Sequence, residues 1–248
     1  MRPSRKLVAV ASLAALLAVG APATASASIP GSELHTYRVT LENLTHGQPF
    51  SPPVAATTRQ GGPHMFQVGR PASGELEQIA EDGNEVPMFH LFNGATGVTQ
   101  AVDVARPLTP RGTNKGGFDD HVTFTIKARH GDRLSLAAML ICTNDGFLGL
   151  DHVRLPHKGH PSEFLLKGYD AGTELNTERS GDIVDPCSGL GPVQLAGDPN
   201  GNIDDAVDET PHQRIHLHPG IQGNGDLCPD LHGWENPVAK VTVEEIED

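Results

Sequence analysis

Apolar and polar positions alternate with a period of two along most of the chain. Residues 35–44 set Tyr37, Val39 and Leu41 against Arg38, Thr40 and Glu42. Residues 121–129 set Val122, Phe124 and Ile126 against Thr123, Thr125 and Lys127. His130-Gly131-Asp132 then makes a turn into a more apolar segment at 133–143, a pattern that predicts a hairpin. Further strands are expected at 64–68, 87–92, 99–104, 147–155, 163–166, 214–217 and 238–246. So many short alternating segments predict an all-β fold, a pair of antiparallel sheets with one face of each buried. One segment reads as a helix, short and on the surface. Ser73 caps it, Glu75 and Glu77 lie in its first turn, Leu76, Ile79 and Ala80 share a side, and Gly83 ends it. No repeat of fixed period and no long linker divides the chain.

The first 27 residues depart from this pattern and read as a secretory signal peptide. Arg2, Arg5 and Lys6 precede an apolar run at 7–17 that only Ser12 interrupts, and Ala25-Ser26-Ala27 supplies a small-residue cleavage pattern. Ala23-Thr24-Ala25 is a second cleavage possibility. The run is shorter than the roughly 20 residues a membrane span needs, and no cysteine follows it for lipid anchoring. A single domain is expected over 28–248, exported and without a transmembrane segment, and a monomer.

Charge narrows the partners. The 248-residue chain carries 18 basic and 31 acidic residues, a net charge of −13. Loss of the three basic residues of the signal takes it to −16. Nucleic acid is disfavoured as a partner, since its affinity rests on Lys and Arg neutralising phosphates. Carboxylates remain free for a hard cation. An oxidising compartment lets disulfides persist. Cys187 and Cys228 flank a Gly/Pro/Asp-rich stretch, so their pairing is the simplest expectation, with Cys142 a buried thiol in the run 137–142. Spacing does not fix the connectivity.

Two acidic stretches draw the eye to one place. Thr143-Asn144-Asp145-Gly146 follows a buried strand, and Asp170-Ala171-Gly172-Thr173-Glu174 holds two carboxylates four residues apart around a glycine. A curled loop could aim Asp170 and Glu174 at one point, with Asp145 approaching from a neighbouring loop. Converging carboxylates repel unless a cation intervenes, and calcium takes 6–8 oxygens from such irregular loops.

These stretches also carry a resemblance. Residues 37–45 (YRVTLENLT), 50–54 (FSPPV), 71–76 (PASGEL), 143–151, 170–176 (DAGTELN) and 218–223 (HPGIQG) fall in order across the chain, and together resemble the spondin domain family of F-spondin and bacterial secreted proteins. The resemblance implies an antiparallel β-sandwich similar to calcium-dependent membrane-targeting domains. It also implies a calcium ion, Ca2+, held by Asp145, Asp170 and Glu174. Three positions depart from the animal members: Glu174 stands for an aspartate, and Asn144 and Gly146 stand for a proline and an aromatic. The function expected is non-enzymatic binding or adhesion to an extracellular or cell-surface ligand; a structural envelope protein stabilised by calcium is an alternative.

Other motifs are weaker. Residues 198–209 imitate an EF-hand loop, but Ile203 occupies the position that needs glycine, so an acidic closed loop is expected. His212, His216 and His218 form a cluster that could hold zinc or copper; the alternative function resting on it is a metal-dependent hydrolase. Asn43-Leu44-Thr45 matches a glycosylation sequon and is expected to be unmodified, because the export signal looks bacterial. No Gly-x-Ser-x-Gly elbow, His-Glu-x-x-His motif or phosphate-cradling loop is present. Asp119-Asp120-His121 reads as a turn before a strand.

Overall fold

The computed structural model describes residues 33–192 and 207–247. The signal segment and most of the EF-hand-like stretch lie outside the described residues. Among the described residues, ten strands form two antiparallel sheets. Strands β1 (Leu34–Asn43), β4 (His121–Arg129), β7 (Ser162–Leu166) and β10 (Ala239–Ile246) make a four-stranded sheet in the order β4-β1-β10-β7. The second sheet has the order β3-β2-β5-β6-β8-β9. Its members are β2 (Val54–Thr58), β3 (Val98–Asp103), β5 (Arg133–Met139), β6 (Gly146–Arg154), β8 (Gly168–Asp170) and β9 (His216–Leu217). The expected all-β sandwich is what forms.

The main core lies between the sheets. Tyr37, Val39 and Leu41 of β1 and Val241 and Val243 of β10 meet Leu134 and Leu136 of β5 and Leu148 and Leu150 of β6. The period-two alternation of β1, β4 and β10 follows from this, because the four-stranded sheet buries one face and wets the other. The six-stranded sheet differs: all of β2 and nearly all of β5 are buried. Its second face is covered by helices α1 (Gly74–Asp82) and α2 (Val86–Phe92), through Leu76, Ile79, Met88 and Phe92. Each such side chain taken from water stabilises by roughly 1.5–3 kcal/mol.

That double burial corrects the expected hairpin. The turn at 130–132 exists, closed by the Asp132 amide on the Arg129 carbonyl at 3.0 Å. However, β4 pairs with β1, while β5 pairs with β2 and β6, so the turn crosses from one sheet to the other. β4, with one wet face, stays in the four-stranded sheet, and β5, buried on nearly all its length, enters the six-stranded one. The Asp132 carboxylate anchors the crossing by accepting from the Arg129 amide and the Thr99 hydroxyl.

Helix α1 has the expected caps: Ser73 Oγ accepts from the Leu76 amide, and Gly83 adopts φ 66°. More helix forms than expected, however. Helix α2 stands where a strand was expected at 87–92. Pro87 is tolerated in the first helical turn, and Met88 and Phe92, four apart, bury on one side. Two single turns follow, α3 (Pro186–Leu190) and α4 (Pro229–His232). The segment 64–68 is not a strand; it crosses the sheet's outer face with Met65 and Phe66 buried. Its Met65 amide donates to the Asp151 carboxylate rather than to a ladder partner.

The disulfide also differs from expectation. Cys142 pairs with Cys187, and Cys228 is the free cysteine. The apolar run that made Cys142 look like a core thiol ends beside α3, where Ile141, Cys142, Ile183, Val184 and Cys187 form a separate cluster with Ile221 and Leu227. Packing of α3 under the end of β5 brings the sulfurs together; flanking a glycine-rich stretch does not. In the chain-entropy model, closing a loop of this size stabilises by about 4 kcal/mol. The sequon asparagine is buried, and its Nδ2 donates to the Gln48 and Thr109 carbonyls at 2.7 and 3.0 Å.

Candidate metal centre

Asp145 and Asp170 occupy adjacent strand ends, because Gly146 of β6 pairs with Asp170 of β8. Both are buried, at 0% and 1% exposure. After Asp170 the chain turns sharply at Gly172, whose φ is 74°. A Cβ there would lie 2.8 Å from the Gln213 carbonyl carbon, so only glycine fits. The turn points the amides of Thr173 and Glu174 at Asp145 Oδ2, at 2.8 and 3.2 Å. Asp170 is fixed in the same way, accepting from the Gly172 amide at 2.8 Å and from Asn176 Nδ2 at 2.7 Å.

These bonds hold Asp145 by one oxygen only. Its Oδ1 is buried and makes no hydrogen bond. Carboxylate oxygens of Asp145 and Asp170 and a ring nitrogen of His218 all lie within 4.8 Å of one another. His218 is itself buried, and its Nε2 is also without a hydrogen bond. Its Nδ1 accepts from the Gly220 amide at 3.0 Å. In the neutral ring the proton must therefore sit on Nε2, which makes that atom a donor and not a metal ligand. Burial pushes the His218 pKa down to about 4, against the pull of Asp170, so the ring is neutral at pH 7. The arrangement offers a cation carboxylate oxygens, the chemistry of a hard ion.

Glu174 is not part of that close group of three, although its backbone amide donates to Asp145 Oδ2. Its side chain is buried and interacts with Glu81 and Asp82 of α1, with Asp145 and with Asp182. Burial first, then those four carboxylates, push the Glu174 pKa up to about 10. Glu81 is raised to about 7, mainly by burial, and a hydrogen bond with Thr173 opposes the rise. Burial also raises Asp82. Asp145 is raised to about 7 by burial and then by Asp170, against the pull of the amides of Thr173, Glu174 and Gly172. Glu81 and Asp82 end a helix with no basic residue in its last turn, where the dipole disfavours negative charge. Acid is thus collected here from α1, the turn before β6, the end of β8 and the loop after it.

The surrounding loops are tied to the same place. Asn144 donates through Nδ2 to the Asp182 carbonyl and Thr177 Oγ1, and its Oδ1 accepts from the Glu178 amide. The Glu178 carboxylate accepts from the amides of Gln222 and Asn224, both at 2.6 Å. The loop residues 170–182 and 218–226 therefore clasp each other around the acids.

Sequence reasoning brought Asp145, Asp170 and Glu174 into one neighbourhood. It assigned His218 elsewhere and passed over Glu81, Asp82 and Asn176. The signal for Glu81 and Asp82 was present, as two acids at the wrong end of a helix. The proposed cluster of His212, His216 and His218 does not converge. His212 Nε2 pairs with Asp208 at 2.7 Å, His216 Nδ1 donates to the Arg214 carbonyl at 3.0 Å, and His218 turns inward. No helix among the described residues is long and apolar enough to cross a membrane. In comparison with known proteins, the chain matches no family model and no curated sequence. Fold and site together define a disulfide-linked β-sandwich with a buried acidic centre at one loop end.

Proposed function

We propose that the chain is an exported calcium-binding β-sandwich of spondin type, serving as a non-enzymatic binding or adhesion module outside the cell or at its surface. The observation that carries the reading is Asp145 Oδ1, a buried carboxylate oxygen without a hydrogen bond, placed beside Asp170 amid further buried acids. Buried polar atoms are satisfied in the great majority of cases, and a hard cation satisfies this one while neutralising its neighbours. Asp145 and Asp170 would hold the ion, and Glu174, which lies outside that close group, would complete the carboxylate set by turning its side chain from Glu81 toward it. Calcium would supply positive charge that offsets the repulsion among these groups.

The chain's own residues do the rest. Amides at 173 and 174 fix Asp145, Asn176 orients Asp170, and Glu178 locks the facing loop. Three of the stretches that resemble spondin domains, 143–151, 170–176 and 218–223, meet at this end of the sandwich. Ordered loops here would form the docking surface for an extracellular or cell-surface ligand, and the acidic balance of the chain disfavours nucleic acid. Isothermal titration with calcium tests the reading. One site is expected, absent in Asp170→Asn and not matched by magnesium, which demands near-octahedral geometry and sheds water reluctantly. Titration without heat in the native protein would remove it.

A further inference from the structure

A second cluster of ligating side chains lies at the edge of the sandwich, built from other elements. β1 and β10 alternate inward and outward, and their inward series run 35, 37, 39, 41 and 239, 241, 243, 245. Tyr37, Val39, Leu41, Ala239, Val241 and Val243 fill the core. Continuing each series outward places His35 and Glu245 where the pattern calls for apolar residues. Tyr37 pairs with Glu245 across the ladder, so His35 sits diagonally beside that carboxylate. His130, in the turn that crosses between the sheets, closes over the same point.

Three ligating side chains meet at one point; the two imidazoles are stacked, so one ring turns for both lone pairs to face a shared ion. His35 Nδ1 lies 2.9 Å from Glu245 Oε1, and His130 Nε2 lies 3.7 Å from the same oxygen. One ligand atom from each residue lies within 4.8 Å of the other two. The imidazoles stack with centroids 3.8 Å apart, and His157 packs edge-on against His130. Zinc bonds imidazole nitrogen and carboxylate oxygen at about 2.0–2.2 Å, so tetrahedral ligands stand roughly 3.3–3.5 Å apart. The two nitrogen–oxygen separations straddle that range. The Glu245 side chain is 7% exposed and His130 is 48% exposed, so the carboxylate is sheltered while one side opens to water.

We infer that His35, His130 and Glu245 form a binding site for a divalent first-row transition ion of the zinc type, separate from the acidic centre. Two imidazoles and one carboxylate suit zinc and copper better than calcium, which takes oxygen ligands. Another histidine–carboxylate group, His64, Asp151 and His152, is less suited. Asp151 already accepts from the Met65 amide and Ser135 Oγ as well as meeting His64, and His152 Nε2 donates to the Pro63 carbonyl.

The test is a zinc titration of the native protein in competition with a chromophoric chelator, repeated with cobalt(II) read by visible absorption. One zinc is expected to bind, with its affinity lowered by at least about tenfold in His35→Ala, His130→Ala and Glu245→Gln. His64→Ala and Asp145→Asn are expected to leave it unchanged. Cobalt should give the strong visible bands of a low-coordinate nitrogen–oxygen site, lost in the same three variants. His130 sits in an exposed turn, so His130→Ala stays informative if a strand variant fails to fold. Absence of saturable zinc binding overturns the inference. So does binding that survives His130→Ala but disappears in His64→Ala or Asp145→Asn.

Discussion

Replacing Asp145 by asparagine should make the calcium-free protein more stable, although it removes a charged hydrogen-bond acceptor. Asp145 Oδ2 takes the amides of Thr173 and Glu174, and the amide oxygen of asparagine can take the same bonds. The substituted nitrogen then occupies the place of Oδ1, which has no partner, and presents a donor toward Asp170. With its pKa raised to about 7 from 3.8, ionised Asp145 opposes folding at pH 8. About three pKa units correspond to about 4 kcal/mol as an upper figure. For a domain of this size, that is a rise in Tm of roughly 8–16 °C. The assay is thermal unfolding in chelator at pH 8, wild type against Asp145→Asn, followed by the same pair in millimolar calcium. The variant should melt higher in chelator and ignore calcium, whereas the wild type should rise when calcium is added. A variant that melts lower than wild type in chelator at pH 8 would refute the electrostatic account of the centre.

Other consequences follow from the same structure. Asp145 and Glu81 are raised to about 7 and Glu174 to about 10, so above pH 4 the folded state retains protons that the unfolded chain has released. The stability these groups contribute is therefore full below about pH 4 and is lost as pH rises through 7 and toward 10; melting curves at pH 5, 7 and 9 should fall in chelator and level out in calcium. Cys142→Ser should cost about 4 kcal/mol, seen in denaturant unfolding, while thiol labelling of the unfolded, unreduced wild type should modify Cys228 alone. Phe92→Ala should cost about 3–5 kcal/mol by the same assay, because Phe92 is buried between α2 and the outer face of the six-stranded sheet. Gly172→Ala should weaken calcium binding by titration more than it lowers Tm, since the strained turn is what aims two amides at Asp145.

The strands of the four-stranded sheet were legible because one wet face writes its alternation into the sequence. Those of the six-stranded sheet were less so. Burial on both faces gave β5 an apolar run from Leu136 onward, and that change of pattern after the turn was the available sign that the chain leaves one sheet for the other. Helix α2 was hidden in seven residues, too few for a helical period to stand out from an alternating one. The disulfide was misassigned because it depends on α3 packing beneath Ile141 and Cys142, a contact across 45 residues that spacing does not encode. At the acidic centre, the glycine between two carboxylates was readable as a curl. The inward turn of His218 was not, since it follows from the Gly220 amide and the Trp234 ring against which it packs.

The central claim is that Asp145 and Asp170 share a calcium ion. A crystal structure of the protein grown with calcium, with anomalous scattering recorded, tests it most directly. The account predicts one anomalous peak at the loop end, about 2.3–2.6 Å from Asp145 Oδ1 and from an Asp170 oxygen. A crystal grown at saturating calcium in which a water molecule bridges Asp145 Oδ1 and His218 Nε2, with no anomalous signal there, would contradict it.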